Sequence, residues 1–349
     1  MTNADFTKMD GQINDARPFQ ILVLSGGGIR GVYTAAVLKC LEAKAGKPLA
    51  RCFDLIAGTS IGGILSLGLA METPAEQLLN AFATHGSRIF SRRPAPRNSF
   101  EWLLDLSRAL CRPKYSDRGL KRTIGELIPH GTRIEHLKHR VMVPAVNVST
   151  GSPKVFKTPH HQSFETDWRY SVQDVALATS AAPTYFPLAR VGPALYADGG
   201  LFANAPAIHA YHEANVFLGV QPCRISVVHV GTTKNTAGVA TSSARNFGLW
   251  QWMRDGKLLS ILYAAQEQCD CFMLQHLLKS RYYRIDSELS PDQHKQIALD
   301  VATADVVATL TALGERAGQC AAGSPELQRL LQHSASPPIF YHGVNRTEV

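Results

Sequence analysis

Residues 21–31 read Ile-Leu-Val-Leu-Ser-Gly-Gly-Gly-Ile-Arg-Gly, and residues 53–62 read Phe-Asp-Leu-Ile-Ala-Gly-Thr-Ser-Ile-Gly. Each stretch opens on a short apolar run, breaks at a glycine turn and continues as an apolar helical pattern. Ile21–Leu24 has no polar alternation, as expected of a strand buried on both faces of a parallel sheet, and Phe53–Ala57 reads as the next strand. After the first turn, Val32, Ala36, Val37 and Leu41 recur at helical spacing, with Gly46 as the stop. Ile61–Met71 forms the second helix. Strand–helix–strand–helix at this spacing implies an α/β fold with a mostly parallel sheet and helices on both faces.

The two turns differ in what they offer. In Gly58-Thr59-Ser60-Ile61-Gly62 a strand runs abruptly into a helix, which sets the serine on a strained turn. Side chains at positions 58 and 62 would crowd that turn. The Ser60 hydroxyl then stands clear at a helix N-terminus, whose dipole favours developing negative charge. A serine alone is a weak nucleophile and needs a base. The other turn, Gly26-Gly27-Gly28-Ile29-Arg30-Gly31, presents amides free of Cβ bulk. Those of Gly27 and Gly28 can point at an oxyanion, and Arg30 can brace the loop or add positive potential. Taken alone, Gly26–Gly31 reads equally as a phosphate-binding or packing turn, and Gly58–Gly62 as a small-residue helix start.

A third element joins them. Ala178-Thr179-Ser180-Ala181-Ala182-Pro183 is followed by Tyr196-Ala197-Asp198-Gly199-Gly200. The combination resembles the patatin-like phospholipases, over about residues 18–235. The resemblance implies a three-layer α/β/α fold and a Ser–Asp dyad, with Ser60 as nucleophile and Asp198 as base. It places the oxyanion hole in Gly26–Gly31, on the Gly27 and Gly28 amides. Within the family, the three motif stretches look like the phospholipase effectors of bacterial CBASS anti-phage systems. That likeness implies activation by a cyclic dinucleotide and attack on the cell's own membrane, at its inner face; the large affinity preference such a switch needs leads to the expectation that activation is coupled to oligomerisation.

Elsewhere the pattern supplies further elements. Thr73-Pro74 starts a helix. Val141–Val148 and Leu195–Ala197 read as strands, and Lys154–Lys157 as a return strand after the Thr150–Pro153 turn. Val172–Ala181 reads as a helix, Pro206 as a helix start and Arg224–Val230 as a buried strand. Asn204 holds the aspartate loop or is a plain turn residue. His160 and His161 look like exposed loop residues. Residues 87–122 form a basic, aromatic insertion: a membrane-facing surface, a lid or a charged face on the core. Ser116 is a candidate N-cap at its end. From Thr232 the composition turns polar, which marks the end of the core. The remainder, 236–349, reads as a helical extension, with helices at Leu258–Leu278 and Ala298–Leu313 and a strand at Arg281–Ile285.

Composition narrows the setting. The chain has 349 residues, 45% of them hydrophobic, and a net charge of +8. No apolar run approaches the roughly 20 residues of a spanning helix. The polar first 17 residues lack a signal-peptide core, and seven irregularly spaced cysteines make no disulfide framework; a cytoplasmic protein is expected. Cys269 and Cys271 lack a second ligand pair, so no metal is expected. The basic surface suits anionic lipid or nucleotide, and no motif supports DNA or RNA. Two other readings remain open. One is a Ser–Asp–His esterase, since His209, His212 and His229 follow Asp198. The other is a catalytically silent module using Gly26–Gly31 as a phosphate nest. The preferred reading is a lipid acyl hydrolase that needs no cofactor, acts peripherally on phospholipid and, by resemblance, answers to a cyclic dinucleotide. Arg281-Tyr282-Tyr283-Arg284 and the arginines of the insertion are the candidates to meet that ligand. An unregulated lipase is the simpler form of the same reading.

Overall fold

The computed structural model describes residues 17–90, 112–234, 238, 245–248, 251–252 and 256–348. The middle of the basic insertion, 91–111, therefore lies outside the described residues, as does most of the polar stretch after Lys234.

Strand β1 (Phe19–Leu24) is central, with β2 (Leu55–Gly58) parallel to it on one side. Strands β3 (Val141–Asn147), β4 (Ser152–Lys157), β5 (Ala189–Val191) and β6 (Ala194–Asp198) form that flank of the sheet. β3 runs parallel to β2 but pairs antiparallel with both β4 and β6, and β5 pairs with β6. On the other side of β1 lie β7 (Ile225–Val230) and β8 (Tyr282–Ile285), both parallel to it in an eight-stranded sheet. β8 comes from beyond residue 236, so the last third of the chain completes the sheet as well as covering it.

The helices are α1 (Gly31–Ala45), α2 (Ile61–Ala70), α3 (Ala75–Ile89), α4 (Arg118–Leu127), α5 (Val172–Thr179), α6 (Gly200–Ala203), α7 (Ala207–His212), α8 (Lys257–Leu278), α9 (Pro291–Gln296), α10 (Ala304–Gly323) and α11 (Pro325–Gln332). Every residue of β1 is buried. Leu22 and Leu24 enter one core with residues of α1, α2, α3, α5 and α10, whereas Ile21 and Val23 enter a second core with residues of α7 and α8. The strand period of two therefore sorts one continuous apolar run into two cores, which gives a three-layer α/β/α architecture. No helix among the described residues is long and apolar enough to cross a membrane.

Three local expectations need correction. The helix expected at Ala298–Leu313 begins only at Ala304, where the Thr303 hydroxyl accepts the Val306 amide; Leu299 lies in a turn before it. His160 is 2% exposed rather than a surface residue. Its ring bonds the Thr158 hydroxyl and the Glu213 carboxylate, which satisfies both nitrogens in the interior. Ser116 accepts the Arg118 amide, but the residue flanking the helix is Asp117.

Candidate active site

Ser60 sits between β2 and α2 with φ 56° and ψ −126°. For a residue with a Cβ this is a strained backbone, held by its surroundings. A Cβ on Gly58 would strike the Gly62 carbonyl, and one on Gly62 would strike the carbonyls of Leu24 and Ser25. The turn can close this tightly only because both flanks lack side chains. The Ser60 amide donates to the Thr179 hydroxyl at 2.9 Å, and that hydroxyl donates to the Pro144 carbonyl at 2.6 Å.

The glycine turn after β1 is held in a graded way. The Gly26 amide donates to the Asn204 carbonyl at 2.9 Å, and the Ile29 amide donates to the Leu299 carbonyl at 3.0 Å. The Arg30 amide donates to the Gly27 carbonyl at 3.2 Å. Among the described residues, the amides of Gly27 and Gly28 donate to nothing. Buried backbone donors are normally paired, so two free ones side by side form a site for an oxygen ligand. Gly28 has φ +56°, which a larger residue would resist.

Asp198 ends β6 and is 1% exposed. Its carboxylate accepts the Gly200 amide at 2.7 Å, and the Ser60 side chain is close enough to favour its ionised form. Burial pushes its pKa up to about 7, against the pull of the Gly200 amide and of the nearby Ser60 side chain. Ser60, Asp198, Gly27 and Gly28 line one cleft with about 720 Å³ of empty space, partly open to solvent. Away from these groups its walls are apolar, including Val32, Ile64, Phe82, Ile89, Phe90 and Phe186. A polar end with a serine, and an apolar slot leading from it, suits an ester on a long acyl chain.

The comparisons agree with this geometry. The patatin-like phospholipase profile matches residues 22–211, from β1 through α7. The chain belongs to that family. It is 46% identical to a cGAMP-activated phospholipase of Pseudomonas aeruginosa over 94% of this chain and 96% of the relative. It is 36% identical to one from Vibrio cholerae, over 85% of this chain and 89% of the relative. A third, from Escherichia coli, is 34% identical over 85% and 88% of the two chains. The chain is accordingly a hydrolase with the patatin fold.

The patatin-like site is braced by Arg30 of the glycine motif and also draws on residues of α8 that carry no motif. Arg30 is buried and its Nε donates to the Gly27 carbonyl at 3.4 Å, so it braces the loop. Burial lowers its pKa against the nearby charges of Glu267 and Asp286. Glu267 of α8 accepts from Ser25 at 3.1 Å, Asn204 at 3.2 Å and Arg284 at 2.8 Å. Asn204 thus ties the oxyanion loop to α8 and does not hold the aspartate side chain. Tyr263 of α8 and Leu299 also line the cleft. Only their apolar packing is visible in the sequence; the pair of carboxylates, Glu267 and Asp270, one turn apart on a helix otherwise uncharged after Lys257 is the one available hint.

Two sequence readings lose their footing here. No histidine among the described residues lines the cleft. His229 is fully buried behind it, bonded to the hydroxyls of Ser25 and Tyr282 at 2.7 Å each. A Ser–Asp–His triad has no histidine to use. The Arg281–Arg284 run is committed to the sheet: Arg281 donates to the Ile225 carbonyl at 2.7 Å, and Arg284 pairs with Asp286 at 2.6 Å as well as with Glu267. The Arg284 charge is thereby matched by two carboxylates, whereas among the described residues Arg281 bonds only backbone carbonyls. Cys269 and Cys271, two apart on α8, face different directions, the first exposed and the second against Arg284.

Proposed function

We propose that this chain is a serine lipid acyl hydrolase that cleaves membrane phospholipid esters with Ser60 and Asp198, and that a cyclic dinucleotide switches it on. The observation that carries the chemistry is that Ser60 and Asp198 line one cleft together with the Gly27 and Gly28 backbone, at the polar end of apolar walls. Asp198 takes the hydroxyl proton as Ser60 attacks the ester carbonyl. The Gly27 and Gly28 amides hold the oxygen that becomes negative. Collapse of the tetrahedral intermediate breaks the ester C–O bond, and Asp198 returns the proton to the leaving alcohol. Water, deprotonated by Asp198, then releases the fatty acid and restores Ser60. Besides the ester and water, these steps use only groups of the chain itself.

The activator comes from the relatives, whose names carry cGAMP activation. The substrate is reached peripherally, at the inner face of the membrane, and activation is coupled to self-assembly. The test is fatty-acid release from phospholipid vesicles with and without cGAMP, by the wild type and by Ser60→Ala. Release only by the wild type, and only with ligand, is the expected result. Ligand-independent release would leave an unregulated lipase, and activity in Ser60→Ala would remove the nucleophile.

A further inference from the structure

Among the described residues two cleft hydroxyls, those of Ser180 and Tyr263, have no partner, and it is the Tyr263 ring that flanks Asp198. The Tyr263 side chain is 7% exposed, lines the cleft beside Ser60 and Asp198, and its oxygen is buried without a partner. A Tyr hydroxyl buried in a protein interior usually finds a partner, and leaving it unpaired costs free energy. Phenylalanine would fill the same space without that cost. The hydroxyl is also close to the acid–base group. A Cβ built on Gly200 would lie 3.0 Å from the Tyr263 ring and 3.1 Å from Asp198 Oδ1. The ring and the carboxylate therefore flank one point, no more than about 6 Å apart, the span that one bridging oxygen fills with two hydrogen bonds. Burial holds the phenol well above its usual pKa, with the Asp198 charge adding to the effect, so it keeps its proton and acts as a donor.

We propose that Tyr263 is a further catalytic residue, whose hydroxyl donates a hydrogen bond to the alcohol oxygen leaving the phospholipid ester. The inference rests on the Ser60–Asp198 reading above. When the tetrahedral intermediate collapses, the C–O bond electrons move to the alcohol oxygen, and the proton held by Asp198 joins it. The Tyr263 hydroxyl stabilises the charge on that oxygen before the proton arrives, and keeps its own proton throughout. In deacylation the attacking water occupies the same place, and the phenol oxygen, an acceptor as well as a donor, orients one of its O–H bonds.

The donor matters most when the leaving alcohol is a poor one. Tyr263→Phe is therefore compared with wild type on two substrates: a phospholipid, and a p-nitrophenyl ester of similar chain length, read as the pre-steady-state burst of acylation. The expected loss on the phospholipid is about 10- to 100-fold in kcat, the range of one hydrogen bond to a developing charge. The expected loss in the burst is under about 3-fold, because p-nitrophenolate leaves without help. The melting temperature of Tyr263→Phe should be equal to or above that of wild type, because an unpaired buried hydroxyl has been removed. Equal losses on both esters with a lowered melting temperature would make Tyr263 a packing residue and overturn the proposal, as would unchanged hydrolysis of the phospholipid. Ser60→Ala, run alongside, separates this failure from failure of the dyad: a dead Ser60→Ala beside a fully active Tyr263→Phe sinks only the role of Tyr263.

Discussion

The Thr179 hydroxyl accepts a hydrogen bond from the Ser60 amide at 2.9 Å and donates one to the Pro144 carbonyl at 2.6 Å. One side chain at the end of α5 thus pins the backbone of the nucleophile to β3. The bond opposes the strain of φ 56° at Ser60 and keeps its amide out of the oxyanion site, which leaves that role to Gly27 and Gly28.

Thr179→Val keeps the shape and deletes both bonds. The expected result is a kcat lower by about 10-fold or more, with KM little changed, because the nucleophile is misaimed while the acyl slot is intact. Thr179→Ser, which restores the hydroxyl, should recover most of the rate. A fall in KM-dependent binding alone, or no rescue by serine, would reduce Thr179 to a packing residue.

The carboxyl of Asp198 sets the pH dependence. As the base it must be ionised, and its pKa is pushed up to about 7. The rate kcat/KM should rise with pH below about 7 and level off above it. Stability runs the other way. The folded pKa lies above the unfolded value of about 3.9, so the contribution of this group is complete below that value and is lost as pH rises through about 7. Asp198→Asn cannot ionise and escapes the loss. Its stability advantage over wild type should widen between about pH 5 and pH 8, by on the order of 2–3 kcal/mol. The variant should be dead in hydrolysis. Thermal melts at the two pH values with a constant gap would mean the carboxyl is not held in this state.

Gly27→Ala tests the oxyanion loop. A Cβ there would strike the Thr232 side chain and push the loop aside. The rate should drop by roughly 10²-fold, the usual consequence of losing one such donor. Turnover at the wild-type level would assign the free amides another task.

The motifs made the centre of the sheet and the chemical groups legible. Residues close in sequence imposed both turns, and each glycine there answers a local collision. What surrounds those groups was not legible, for a physical reason. Leu299 meets Ile29 through its carbonyl, and any residue type has a carbonyl. Glu267 and Tyr263 act from α8, far along the chain, where only the tertiary fold decides which face of the helix meets the site. His160 misled because a histidine in a polar stretch reads as exposed until its partner Glu213 is in place. The start of α10 was misplaced because the apolar residues at 297–302 serve loop contacts and not a helical face.

Regulation supplies the last prediction. A phospholipase active in its own cytoplasm harms its host, so the resting protein should be nearly silent. A ligand activates only by binding the active arrangement more tightly than the silent one. Moving from about 1% to 99% active molecules needs roughly a 10⁴-fold preference. Arg284 contributes little to that preference, because Glu267 and Asp286 already pair it. So large a preference is hard to draw from one small ligand per subunit. Assembly of several subunits pools several ligands, and the preference then multiplies across them. Activity and particle mass, followed together as cGAMP is titrated, should therefore rise together and with a Hill coefficient above one. Full activation of a particle whose mass never changes would confine the switch to a single chain, and the whole preference would then have to come from one binding site.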